Sequence, residues 1–96
     1  MSAGAEARPA IRAGFRLQWE PVQNAYVMLY PEGMITLNTS AAEILRRCDG
    51  SRTVAEIIAD LETAFQRSDL EKDVVGFLEG AARQGWVLMD QSREPP

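Results

Sequence analysis

Between Thr36 and Ile44 the spacing of apolar residues changes from two to about 3.6, and that change divides the chain in two. Before it, Met34–Asn38 alternates, with Ile35 and Leu37 set against Met34, Thr36 and Asn38. After it, Ser40-Ala41-Ala42-Glu43 has the form of a capping box, in which the serine hydroxyl accepts from the Glu43 amide and the carboxylate reaches back. The pattern recurs at Thr53-Val54-Ala55-Glu56 and Ser68-Asp69-Leu70-Glu71, and each box opens a helical stripe. The stripes are Ile44, Leu45 and Cys48, then Val54, Ile57, Ile58, Leu61 and Phe65, then Leu70, Val74, Phe77, Leu78 and Ala81. Gly50 and Gly85 stand where left-handed caps would end the first and third helices.

Upstream of the change the signals are those of strands. Phe15–Glu20 alternates, and Tyr26–Tyr30 is apolar on both faces, as in the middle of a sheet. Pro21 to Asn24 and Pro31-Glu32-Gly33 supply turn residues, the glycine tolerating positive φ. The pattern predicts a three-stranded antiparallel meander with Met34–Asn38 at one edge, and Trp86–Met89 as a short closing strand. The short corner Asp49–Arg52 between two amphipathic helices suits a helix-turn-helix. The expected fold is therefore α+β and winged helix-turn-helix-like: an N-terminal three-stranded antiparallel sheet followed by a three-helix bundle. One domain is expected over residues 9–90, between flexible tails at 1–8 and 91–96.

Composition limits what such a domain does. The 96 residues include no histidine, one cysteine and a net charge of −4. Histidine-based catalysis is excluded, a zinc site lacks ligands, and the acidic balance opposes phosphate binding. The third helix would enter DNA in a winged-helix transcription regulator, the alternative reading, yet it sets Asp69, Glu71, Asp73 and Glu79 against Lys72 and Arg83. No run reaches the ~18 apolar residues of a membrane helix, and the N-terminus has no secretory pattern, so the chain reads as cytoplasmic. Neither a glycine-rich phosphate loop nor a catalytic constellation is present, and the chain reads as a non-enzyme without cofactor or metal.

Two features suit binding. Arg46, Arg47 and Arg52 cluster at the end of the first helix, where they complement its dipole or dock an acidic partner. Met34, Ile35, Thr36, Leu37 and Asn38 form an edge with no proline or charge to protect it, open to a peptide strand or to a second copy of the chain. A bare scaffold domain, paired with itself through this edge, is a third reading. Helix spacing puts Val75, Leu78 and Ala82 on a strip beside the core stripe, facing such a groove. Cys48 reads as a small core hydrophobe.

The chain also carries Leu29-Tyr30-Pro31-Glu32-Gly33, Leu37-Asn38-x-Ser40-Ala41-x-Glu43-Ile44-Leu45, Cys48-Asp49-Gly50 and Thr53-Val54-x-Glu56-Ile57. With Arg16-Leu17-Gln18-Trp19 upstream and Phe77-Leu78 and Gly85-Trp86 downstream, these resemble the pyrroloquinoline quinone (PQQ) biosynthesis protein D family across Pro9 to Met89. The resemblance implies a winged-helix-like peptide chaperone that binds the ribosomal PQQ precursor peptide. It implies presentation of that peptide to a radical S-adenosylmethionine enzyme, with no cluster or quinone held by the chaperone itself. It also implies pairing of the peptide with the third strand, here Met34–Asn38, against the third helix, here Asp69–Gly85.

Overall fold

The computed structural model describes residues 3–90. It is mixed α+β, with three helices and two antiparallel sheets in the order β1 (Arg8–Ile11), β2 (Arg16–Glu20), β3 (Ala25–Tyr30), β4 (Gly33–Thr36), α1 (Thr39–Leu45), α2 (Val54–Ala64), α3 (Glu71–Arg83) and β5 (Val87–Asp90). The expected meander is present as a sheet of order β2-β3-β4, with β3 in the middle and β4 at an edge. Val27 and Met28 of β3 are both wholly buried, which accounts for a strand apolar on both faces. Tyr30 pairs with Gly33, so the turn is Pro31-Glu32 alone. Gly33 is a strand residue without positive φ, contrary to the turn role its sequence position suggested.

The meander is not the first element of the chain. Strand β1 precedes it and pairs with β5 in a two-stranded sheet, Ala10 opposite Leu88 and Ile11 opposite Val87. The other side of β1 is bonded as well: Ile11 N–H donates to Cys48 O and Gly50 N–H to Pro9 O. Pro9 therefore loses nothing by lacking an N–H, because its position is not a bonded pair of the β5 ladder. Within the tail expected at 1–8, the residues from Ala3 onward carry structure. Ala3–Glu6 form a 3-10 turn, Ala7 is 1% exposed, and its carbonyl accepts from Val54 N–H. Met1, Ser2 and the tail expected at 91–96 lie outside the described residues.

Of the three expected capping boxes, one forms. Thr53 accepts from Glu56 N–H and Glu56 accepts from Thr53 N–H, at 3.1 and 2.8 Å. Helix α1 is capped two residues earlier than expected, by Asn38, whose Oδ1 accepts from Ala41 N–H at 2.8 Å. Leu37 N–H is still held by Tyr26 O of β3, so the first amides needing a partner follow Asn38 rather than Ser40. Glu43, freed from capping, pairs with Arg46 and Arg47. Helix α3 starts at an N-cap, Leu70, with no side-chain cap. Asp69 turns the chain at φ +68°, and Leu70 N–H is taken by Glu62 Oε2 of α2.

The helix ends divide in the same way. Gly85, at φ +83°, closes α3 with Gly85 N–H donating to Ala82 O and Trp86 N–H to Ala81 O, a Schellman arrangement. Gly50 does not cap α1. That helix stops at Leu45, and the Arg47 and Cys48 amides tighten onto Ile44 O and Leu45 O. Asp49 then bridges to Ala10, so the link to α2 is longer than a plain corner and is shaped by β1. The core beneath these elements gathers Met28, Leu37, Ile44, Leu45, Val54, Ile57, Leu61, Val74, Leu78 and Val87. Phe65, the last residue of the α2 stripe, is 46% exposed and stands at the helix C-cap.

An open sheet edge as the candidate site

The bonding of β4 follows from one contact. Leu37 N–H donates to Tyr26 O, so Tyr26 and Leu37 are a bonded pair, and bonded pairs alternate along an antiparallel ladder. Met28 with Ile35 and Tyr30 with Gly33 are then the other bonded pairs. Met34 and Thr36 direct their N–H and C=O groups away from β3, and neither carries a backbone hydrogen bond among the described residues. Neither charge nor proline interrupts Gly33–Thr36, and Met34 is half exposed. Thr36 Oγ1 donates to Gln23 Oε1 at 2.9 Å, on the opposite face of the strand from Ile35.

The five expected edge residues therefore divide. Met34, Ile35 and Thr36 belong to the edge. Leu37 is corrected to a core residue, 7% exposed with its amide already satisfied. Asn38 is corrected to the α1 cap. On α3, Val75 and Ala82 are half buried and pack against the same core as Ile35. Leu78 is corrected from groove wall to core: it is 0% exposed, because Val74, Leu78 and Ala81 form the stripe that α3 buries.

The arginines are less available than their number suggests. Arg46 pairs with Glu43 at 3.1 Å and lies over the Tyr26 ring, 5.5 Å from its centre. Arg47, its side chain 15% exposed, donates to the Glu43 carbonyl and carboxylate and to Asp60, tying α1 to α2. The Arg47 hydrogen bond, with lesser help from Arg46, holds the Glu43 carboxyl below its usual range, and that of Asp60 is lowered in the same way. Hydrogen bonds from Ser51 lower the Asp49 carboxyl first, and the exposed Arg52 adds a lesser pull on it and on Asp60. Of the three arginines, Arg47 alone fastens one helix to another. Cys48 is 3% exposed, and burial followed by the Asp49 charge pushes its thiol up to about 12, so it stays protonated and inert.

Two features had no sequence signal. Trp19, 46% exposed, meets Tyr26 edge to face at 5.1 Å, and the pair continues into Arg46; cross-strand register brings these together. The second is a cleft between α1, the end of α2 and the start of α3, floored by Ile44, Leu61, Leu70 and Val74. Its walls come from three separate segments, which no local pattern joins.

Comparison with known proteins agrees with this architecture. The family model described as coenzyme PQQ synthesis protein D (PqqD) matches residues 25–87. A protein of Stutzerimonas stutzeri named PqqA binding protein is 51% identical over 80 residues, covering 82% of this chain and 87% of its own. One of the same name from Azotobacter vinelandii is 54% identical with the same coverage. Among solved structures, the PqqD truncation of Methylobacterium extorquens PqqCD is described as a functional, stand-alone recognition element for ribosomally synthesized and post-translationally modified peptides. It superposes with a TM-score of 0.70 at 28% identity, over 92% of this chain and 99% of its own. PqqD from Xanthomonas campestris gives 0.51 at 31% identity, over 79% and 87%. Fold and sequence thus converge, and the chain belongs to the PqqD family.

Proposed function

We propose that this chain is a non-catalytic binding module for the PqqA precursor peptide of PQQ biosynthesis, taking the peptide as an added strand on β4. The observation that carries the reading is the pair of outward-facing backbone positions, Met34 and Thr36, on an uncharged edge. The names of the Stutzerimonas and Azotobacter relatives and the description of the Methylobacterium recognition element supply the ligand class. In the winged helix-turn-helix arrangement expected for this domain, α3 stands as the second wall, offering Val75 and Ala82. The peptide would then be handed to a radical S-adenosylmethionine enzyme, with Arg52 the one arginine of its cluster free to meet it.

Magnitudes indicate how such a site works. Two outward residues offer four backbone hydrogen bonds, worth roughly 2–6 kcal/mol net at about 0.5–1.5 each. Ordering each peptide residue costs about 1–2 kcal/mol. Backbone pairing alone does not hold a flexible peptide; it sets register, and burial of apolar side chains supplies the affinity. The benefit to the enzyme is preorganisation, since a peptide already extended presents its reactive residues at lower entropic cost.

The test is proline at Met34 and at Thr36. Both amides point outward, so proline removes a donor needed by an incoming strand and none used by the fold. Calorimetry with PqqA is expected to show at least roughly tenfold weaker binding for each variant, the scale of one lost charge-neutral hydrogen bond plus a steric block. Unchanged affinity in both, with wild-type binding intact, removes the strand-addition mechanism.

A further inference from the structure

The cleft at the far end of β4 has about the volume of a large side chain with room to spare, about 380 Å³. It begins just past the open edge: β4 ends at Thr36, Asn38 caps α1, and Thr39 and Ser40, the next two residues, line it. Its floor is apolar, with Ile44, Leu61 and Val74 buried and Leu70 half buried. At its lip Phe65 leaves nearly half of its surface in water, although the α2 stripe would bury a residue at this spacing. Glu43, Arg67 and Asp73 also line it, and Arg67 has no ion pair among the described residues. An aromatic ring left exposed beside an apolar floor, in a cleft whose rim follows an open-edged strand, is unexplained by the packing of this chain alone.

We propose that this cleft anchors one large apolar side chain of the same precursor peptide, about three residues beyond the segment paired with β4. The inference rests on the peptide-binding reading above and adds to it a determinant of which peptide is accepted. Thr39 follows Thr36 by three residues, so the cleft rim lies within about 10 Å of the end of the edge, a span that about three residues of extended peptide cover. Leucine, isoleucine, methionine or phenylalanine at that position would cover Phe65 and displace water from the floor. A small polar residue there would leave the apolar floor wet, whatever it gained from Glu43, Arg67 and Asp73 around it. The cleft thereby supplies the side-chain burial that backbone pairing lacks.

Two variants test it. Phe65→Ala removes the lip, and Ser40→Phe fills the cleft from its rim; neither residue is buried and neither caps a helix through its side chain. Each is combined with an alanine scan of the apolar residues of PqqA, with affinity read by calorimetry and amide shifts followed on labelled protein. Wild-type protein is expected to lose about tenfold affinity for alanine at one peptide position. Phe65→Ala is expected to bind the unsubstituted peptide about fivefold to tenfold more weakly and to be indifferent to that same position, within twofold, while Met34 and Thr36 still shift. Affinity within twofold of wild type in both variants, or no peptide position coupled to Phe65, overturns the anchor and leaves strand addition standing. Should Phe65→Ala unfold, Ser40→Phe decides alone by the same criteria. A change of molecular mass in Ser40→Phe would assign the cleft to a second copy of the chain and overturn the proposal. Absence of binding to the wild-type protein fails the peptide-binding reading itself, a result distinguishable from the others.

Discussion

The two sheets end in opposite ways. In the small sheet, β1 is bonded on both sides: to β5 along one, and to Cys48 and Gly50 along the other, with Val54 held by Ala7 just before the strand. In the larger sheet, β4 is bonded only to β3, and Met34 and Thr36 face outward. Both strands are four residues long, so length does not decide the difference. What decides it is where the chain goes next to each. The link from α1 to α2 is drawn across β1, whereas β4 passes directly into α1 and leaves its outer side uncovered. One strand is spent on stability, and the other is kept available.

Removing residues 1–11 should break this contrast most severely. It exposes the β5 edge, frees the Cys48–Gly50 segment and opens the Ala7 contact with α2. A domain is stable by only about 5–15 kcal/mol, and loss of a whole strand takes a large part of that. Circular dichroism is expected to show no cooperative melting above room temperature. Proline at both Met34 and Thr36 should act in the reverse sense, abolishing measurable peptide binding while unfolding free energy stays within about 1 kcal/mol of wild type.

Smaller effects come from the chain ends that deliver these strands. Gly85→Ala places a Cβ at φ +83° with no atom near it, so its cost is backbone strain alone. The expected loss is about 1–2 kcal/mol, read by urea denaturation. Asn38→Ala and Thr53→Ala should each cost about 1 kcal/mol, whereas Ser40→Ala should cost under about 0.5, because Ser40 caps nothing. The smallest effect concerns pH. Glu43 and Asp60 are both held below their ordinary values in the folded chain, first by hydrogen bonds from Arg47. Their contribution is complete above the unfolded carboxylate range, about pH 4 to 4.5, and is lost as pH falls through the lower folded values. Acid titration of stability is expected to flatten in Arg47→Met, and the wild-type slope persisting unchanged would contradict that role.

Much of this was legible from local pattern. The alternation of Met34 to Thr36, the apolar run of β3 and the stripes of α2 and α3 are set by which face each residue must bury, and they appear as expected save for Phe65 at the end of α2. Strand β1 was not legible. Arg8-Pro9-Ala10-Ile11 has no alternation, its proline argues against a strand, and its partners lie about forty and eighty residues away in sequence. The capping boxes show the limit of short motifs: the same pattern occurs three times, and tertiary contacts decide that only Thr53 uses it. At the site, the sequence marked the open edge but extended it by two residues, since Leu37 is claimed by the core and Asn38 by the helix. Leu78 was read both into the α3 stripe and into the strip beside it, and packing decides for the core.

Amide hydrogen exchange, measured residue by residue with and without PqqA, tests the central claim most directly. Strand addition on β4 predicts that Met34 and Thr36 exchange quickly in the free protein and become protected at saturating peptide. Ile35, already bonded to Met28, should change little. Protection that leaves Met34 and Thr36 as exposed as before, at a peptide concentration where calorimetry shows the site filled, would contradict the account.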